Sequence, residues 1–265
     1  MREGETKLET LYHLYQLEKK SYGSCNYLKF VDIKERELLE YRRPEICSWM
    51  YRFVDSYNLC RDLVSRAMSY FDRFLMGILM RKGSLVNPPG YNKSSFLQLT
   101  ALISLHLAIK IHSKFRLEFR HMIRASRRKF DVMELVNMER HMLYVLAWRL
   151  NPPIGAEFVM QLGSLLSSKI EPTLKNHFSS IINTAIFFAE LAVWDSYFLQ
   201  YKASTVAIAC LFNAAESLDT ISQDERKSIL DSLNFILDQF DVKPKENLYP
   251  VCLKIHEVFS NRERS

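Results

Sequence analysis

Glycine and proline are scarce in this 265-residue chain, with 7 and 8 residues respectively. That excludes a collagen-like, linker-rich or turn-dominated architecture and favours long regular elements. The cysteines are five, Cys25, Cys47, Cys60, Cys210 and Cys252, an odd number with no CxxC spacing. This argues against a disulfide framework or a zinc site and for small core residues in a reducing compartment. No uninterrupted run of about 18 apolar residues occurs, so no membrane span is expected. The charged start Met1–Glu5 is followed by no apolar stretch, so neither a signal peptide nor a long regulatory tail before the first helix is expected.

Catalytic signatures are missing as well. There is no glycine-rich phosphate loop, no nucleophile elbow and no HExxH. His106 and His112 stand six apart, off the i, i+4 spacing of a helical metal pair, and read as surface or core histidines. Adjacent carboxylates occur only in charged runs such as Asp224-Glu225. The chain is therefore expected to recognise a partner, to carry no cofactor and to be no enzyme.

What is present is apolar helix-forming sequence, 48% hydrophobic, with a net charge of +6. The basic excess permits an acidic partner but falls far short of a nucleic-acid-binding tail, so nucleic acid is not expected. Residues 5–20 show an amphipathic stripe through Leu8, Leu11, Tyr12, Leu14, Tyr15 and Leu17, which packs on the first domain or receives a partner, packing being preferred. Pro44 is placed to open a helix to about Tyr57. Further helices are predicted over 60–80, 95–112, part of 113–129 and 131–146. Ser94 or Ser95 is expected to cap the third, and Asp131 with Glu134 to form a capping box. Asn151-Pro152-Pro153 breaks the pattern and marks a domain boundary. Helices are then predicted over 154–167, 173–193, 202–217, 223–239 and 245–259, punctuated by Pro172 and Lys243-Pro244. The fold expected is all-α, two halves of about five helices each. The parts are an N-terminal helix and linker (1–40), a first domain (41–151) and a second (152–265).

Two predicted helices carry charge where apolar residues belong. Asp72-Arg73 interrupts a run of Tyr, Phe and Leu, and Lys110 closes the run from Leu99 through Leu102, Ile103, Leu105, Leu107, Ala108 and Ile109. A buried charge needs a partner. Arg43 is the candidate for Asp72, and Glu139 for Lys110.

With these motifs in order, the chain resembles a cyclin over about residues 40–260. The first-box pattern is carried by Arg43 six residues before Trp49, Asp72-Arg73-Phe74-Leu75, and Leu97-Gln98-Leu99 with Lys110 eleven residues after Leu99. Met138-Glu139 and Leu146-Ala147-Trp148-Arg149-Leu150 before Pro152-Pro153 complete it. Phe187–Leu191, Asp195–Tyr201 and Ser204–Ala209 resemble the second lobe, and the overall flavour is of short algal or diatom-type cyclins. The resemblance implies tandem cyclin folds and a regulatory subunit that binds and activates a cyclin-dependent kinase in nucleus and cytoplasm. It implies structural roles for Arg43, Asp72, Leu99 and Trp49. It implies kinase-binding roles for Lys110 and Glu139, with Leu107, Ile111, Leu143, Trp148 and Leu150 as an apolar floor.

Departures from the family pattern are visible. Where several cyclins dock Arg-x-Leu substrates on an apolar patch, this chain has Arg42, Glu45, Ile46 and Trp49, so such docking is not expected. After Lys110 many cyclins carry an aromatic and two acids; here Ile111, His112 and Ser113 stand instead. The basic run 114–129 shifts the face further toward an acidic or phosphorylated partner, or is a solvated helix face. Lys245-Glu246-Asn247 spells a KEN degradation motif, Arg36–Leu39 fits only the loosest destruction box, and no LxCxE occurs. Two other readings compete. One is a DNA-binding transcription factor of the TFIIB type, although no zinc-ribbon ligand set is present. The other is a cyclin-fold adaptor without kinase activation.

Overall fold

The computed structural model describes residues 2–83, 91–167, 175–218, 222–239 and 245–263. Most of the predicted loop 82–93, together with Pro172, Lys243 and Pro244, lies outside the described residues. Among those described there are eleven α-helices and no strand: α1 (Arg2–Ser21), α2 (Ile33–Ser56), α3 (Asp62–Lys82), α4 (Lys93–His112), α5 (Phe119–Ala125), α6 (Val132–Val145), α7 (Gly155–Leu166), α8 (Lys175–Trp194), α9 (Ala203–Ser217), α10 (Gln223–Gln239) and α11 (Lys245–Glu263). The chain divides into two compact units. One comprises Cys25–Pro152 with Trp194–Leu199, the other Met1–Ser24, Pro153–Val193 and Gln200–Ser265.

The first unit is built around α4. From Leu99 to Ile109 every residue of this helix is buried, with Phe96 and Leu97 before them. A helix apolar on all sides belongs in the middle of a bundle. By length and composition α4, like His177–Trp194 of α8, is apolar enough to cross a membrane, but its window is 72% buried, as in a core helix. α3 supplies the widest contact with it, and α2 and α6 also pack against it. Asn92, rather than a serine, caps α4, its side chain accepting from the Ser95 N–H at 2.8 Å. The capping box of α6 forms as expected between Asp131 and Glu134.

Pro44 does not open a helix. α2 starts eleven residues earlier at Ile33, capped by Asp32, and carries Pro44 exposed in its interior. The ring removes the hydrogen bond to the Glu40 carbonyl, a loss of about 3 kcal/mol. The buried face Leu39, Arg43, Cys47, Met50 runs unbroken past the proline at helical spacing and outweighs that loss.

The second unit is centred on α9, whose residues from Val206 to Leu211 are buried, with α7, α10 and α11 packed against it. α1, expected on the first domain, belongs to this unit and packs on α7. Leu11 is fully buried, and the Tyr15 ring lies 5.1 Å from that of Phe158. At the far end of α1, buried Glu18 accepts hydrogen bonds from the backbone N–H (2.9 Å) and hydroxyl of Ser204. The residue preceding α9, Lys202, provides no side-chain cap. Glu18 thus caps α9 from another helix and sets its negative charge at the positive end of the helix dipole.

Candidate functional site

The two charges marked in the sequence both meet partners. Arg43 Nη1 lies 2.6 Å from Asp72 Oδ1 and Nη2 lies 3.1 Å from Oδ2, a two-pronged bond with both side chains buried. It ties α2 to α3. Burial pushes the Asp72 carboxyl up from its ordinary value, opposed by the guanidinium and by a hydrogen bond from buried Tyr27. At Arg43 burial works against the charge, but the Asp72 carboxylate together with Tyr27 and Cys47 raises the guanidinium overall. The first 3₁₀ turn, Tyr27–Phe30, brings Tyr27 to this pair.

Lys110 Nζ lies 2.7 Å from Glu139 Oε1, joining the last turn of α4 to α6. The pair is asymmetric: the Lys110 side chain is 57% exposed and that of Glu139 only 11%. The second carboxylate oxygen faces His106 Nε2 at 3.8 Å. His106 is buried and stacks on Phe119, ring centroids 4.6 Å apart. Burial pulls its imidazole below the ordinary value; Glu139 opposes this and Lys110 adds to it. A buried acid beside a buried histidine, with its cation on the solvent side, presents charge to an incoming surface.

The apolar residues assigned to this face separate into two sets. Ile111 is 42% exposed and Trp148 is 71% exposed, while Leu143 and Leu150 are half-buried. Leu107 and Leu99 are buried at 1% each. Leu107 is therefore no part of a surface floor; the all-round apolar character of α4 draws it into the core, where it backs the face from within.

Trp148 is projected by the backbone. α6 ends in two non-glycine residues in the left-handed region, Ala147 (φ 49°) and Trp148 (φ 58°), held by N–H bonds to the carbonyls of Tyr144 and Leu143. Bulky residues adopt this conformation only when their surroundings enforce it. The segment that follows is fastened to α3 by three residues at i, i+4, i+7. Arg66 Nη1 donates to the Pro152 carbonyl (3.1 Å), Tyr70 to the Leu150 carbonyl, and Arg73 Nη2 to the Arg149 carbonyl (2.9 Å). His112 Nε2 also approaches the Leu150 carbonyl, at 2.8 Å. The sequence reading missed this clamp, although three polar-tipped residues on one face of an otherwise apolar helix are its signal.

On the α2 side, Arg42, Glu45, Ile46 and half-buried Trp49 line a groove of about 310 Å³ with Leu97 and Ala101. Arg42 and Glu45 pair with each other across its rim, Arg42 Nη1 to Glu45 Oε2 at 2.6 Å, and Arg127 is a third charged residue in the wall. Among the described residues no group of three or more His, Cys, Asp and Glu side chains is gathered to hold a metal ion. The backbone of Lys245, Glu246 and Asn247 begins α11, while their side chains lie outside the described ones.

Comparison with known proteins gives a consistent result. The family described as "Cyclin, N-terminal domain" matches residues 9–151, and "Cyclin, C-terminal domain" matches residues 165–265. Cyclin-A1 of Carassius auratus is 27% identical over 184 residues, 68% of this chain and 41% of that protein. The G1/S-specific cyclin-D2 of Rattus norvegicus is 24% identical over 220 residues, 83% of this chain and 68% of that protein. The chain thus spans less than half of the first relative and about two thirds of the second. Among solved structures, a viral cyclin from herpesvirus saimiri superposes with a TM-score of 0.58 at 18% identity, covering 89% of this chain and 99% of the other.

Proposed function

The chain belongs to the cyclin family, with both cyclin domains in tandem, and on that premise we propose that it is the regulatory subunit of a cyclin-dependent protein kinase in cell-cycle control. The observation that carries this reading is the Lys110–Glu139 pair, half in water and half anchored on the core. Desolvated by a partner, its remaining donors and lone pairs give registry as well as affinity. Exposed Ile111 and Trp148, with half-buried Leu143 and Leu150, supply the apolar contact around it.

The mechanism is a population shift. The cyclin catalyses nothing; it binds the active arrangement of the kinase's regulatory helix more tightly than the inactive one. The kinase's own lysine–glutamate pair and activation loop then reach catalytic geometry. On this reading the protein acts in nucleus and cytoplasm, where a fluorescent fusion should be found.

The test is capture from native extract with wild type beside Lys110→Ala/Glu139→Ala. Wild type should retain a cyclin-dependent kinase active on histone, and the double variant should not. Failure of both to retain a kinase, with both folded by circular dichroism, overturns the reading.

A further inference from the structure

Immediately beyond Lys110 the chain leaves α4 and runs as an irregular segment to α5, enclosing a concavity of about 690 Å³. Its wall holds four cations, Lys110, Lys114, Arg116 and Arg120, and one acid, Glu118. Two of the cations are already met: Lys110 by Glu139, and Arg120 by Glu118 at 2.9 Å. Lys114 and Arg116 are exposed and have no acidic partner among the described residues. His106 forms part of the same wall, and its buried Nδ1 makes no hydrogen bond among the described residues.

We propose that this concavity is a phosphate-recognition site, which takes a phosphorylated serine or threonine side chain of the protein partner that docks at Lys110 and Glu139. Two unmatched cations balance the charge of one phosphate monoester, near −2 at neutral pH, whereas a carboxylate neutralises only one. The planar Arg116 guanidinium can meet two phosphate oxygens at once, and the Lys114 ammonium supplies a point charge. The free cations converge on one hollow beside the candidate docking pair, which suits a single phosphate better than the spaced phosphates of a duplex. The identity of the partner rests on the kinase reading above; the phosphate chemistry does not.

The experiment is fluorescence anisotropy on the full chain with three labelled probes. These are a degenerate peptide library carrying a central phosphothreonine, the same library with threonine, and the same library with glutamate. The phosphorylated library should bind about tenfold or more tighter than either. Lys114→Ala/Arg116→Ala, which changes only exposed side chains, should abolish that ratio. Equal binding of the three libraries, or a ratio that survives in the double variant, overturns the proposal. So does a short DNA duplex that displaces the phosphopeptide at equal concentration and loses binding in the same variant, since the site would then serve nucleic acid. Kinase capture run alongside separates the two claims. Capture without phosphate preference sinks this site and leaves the kinase reading standing. Phosphate preference without capture does the reverse.

Discussion

Arg43 and Asp72, 29 positions apart, face each other inside the first unit through two parallel hydrogen bonds of 2.6 and 3.1 Å. The pair lies between α2 and α3, with Tyr27 against it, and so fixes the helix that lines the Arg42–Trp49 groove to the helix that holds the exit segment. Its value is in placing these elements rather than in net attraction, because both ions have left water.

Removing one partner should therefore cost more than removing both. Asp72→Ala or Arg43→Ala strands a buried charge and should lower stability by about 3–5 kcal/mol. Arg43→Met/Asp72→Leu, which replaces the pair with apolar volume, should recover most of that. Urea denaturation followed by circular dichroism reads the difference. Single variants that lose less than about 1 kcal/mol would show that water reaches the pair.

In the second unit the equivalent keystone is Glu18, whose carboxylate holds both the N–H and the hydroxyl of Ser204. Glu18→Ala leaves the first turn of α9 uncapped and should cost about 1–3 kcal/mol. Amide hydrogen exchange should accelerate at Ser204–Ala207 while α4 keeps its protection. Unchanged exchange at those amides would mean that solvent caps the helix equally well.

The two charge pairs were legible because each was announced by a charge inside an apolar run, and the demand for a partner is local. Glu18 was not: its partner stands 186 residues away, and nothing on an amphipathic surface helix marks one glutamate among several. The membership of α1 in the second unit escaped for the same reason, since a stripe states that a helix packs but not on what. Pro44 misled because a helix-start signal was weighed without the buried face Leu39, Arg43, Cys47, Met50 that continues through it. Leu107 was assigned to a surface by position in a motif, whereas α4 has no surface side at that level.

Gly77 on α3 offers a packing test. A Cβ built there would lie 2.5 Å from Val145 Cγ1, at the end of α6. Alanine improves helix propensity by about 1 kcal/mol, but valine is stiff at χ1 and cannot swing its methyl aside without backbone movement. Gly77→Ala should therefore destabilise by about 1–3 kcal/mol net. Gly77→Ala/Val145→Ala should regain the loss from the clash. A single variant as stable as wild type in thermal melts would show that α6 yields freely, and with it the position of Glu139.

His106 should make the first unit sensitive to acid. Burial lowers its folded-state value below the ordinary imidazole range, with Glu139 opposing from 3.8 Å and Lys110 adding. His141 is lowered in the same direction, by burial first and then by Lys82 and Arg81. Unfolding releases these rings to titrate near pH 6.5, so below that point the unfolded chain takes up more protons than the folded one. The stability they contribute is complete above pH 6.5 and drains away as pH falls toward their folded values. His106→Phe keeps the stack on Phe119 and removes one of the two groups. Its urea midpoint should change less between pH 7.5 and pH 5.5 than that of wild type. Parallel slopes for the two proteins would mean that the ring is protonated equally well in both states, and that the carboxylate of Glu139 compensates fully for its burial.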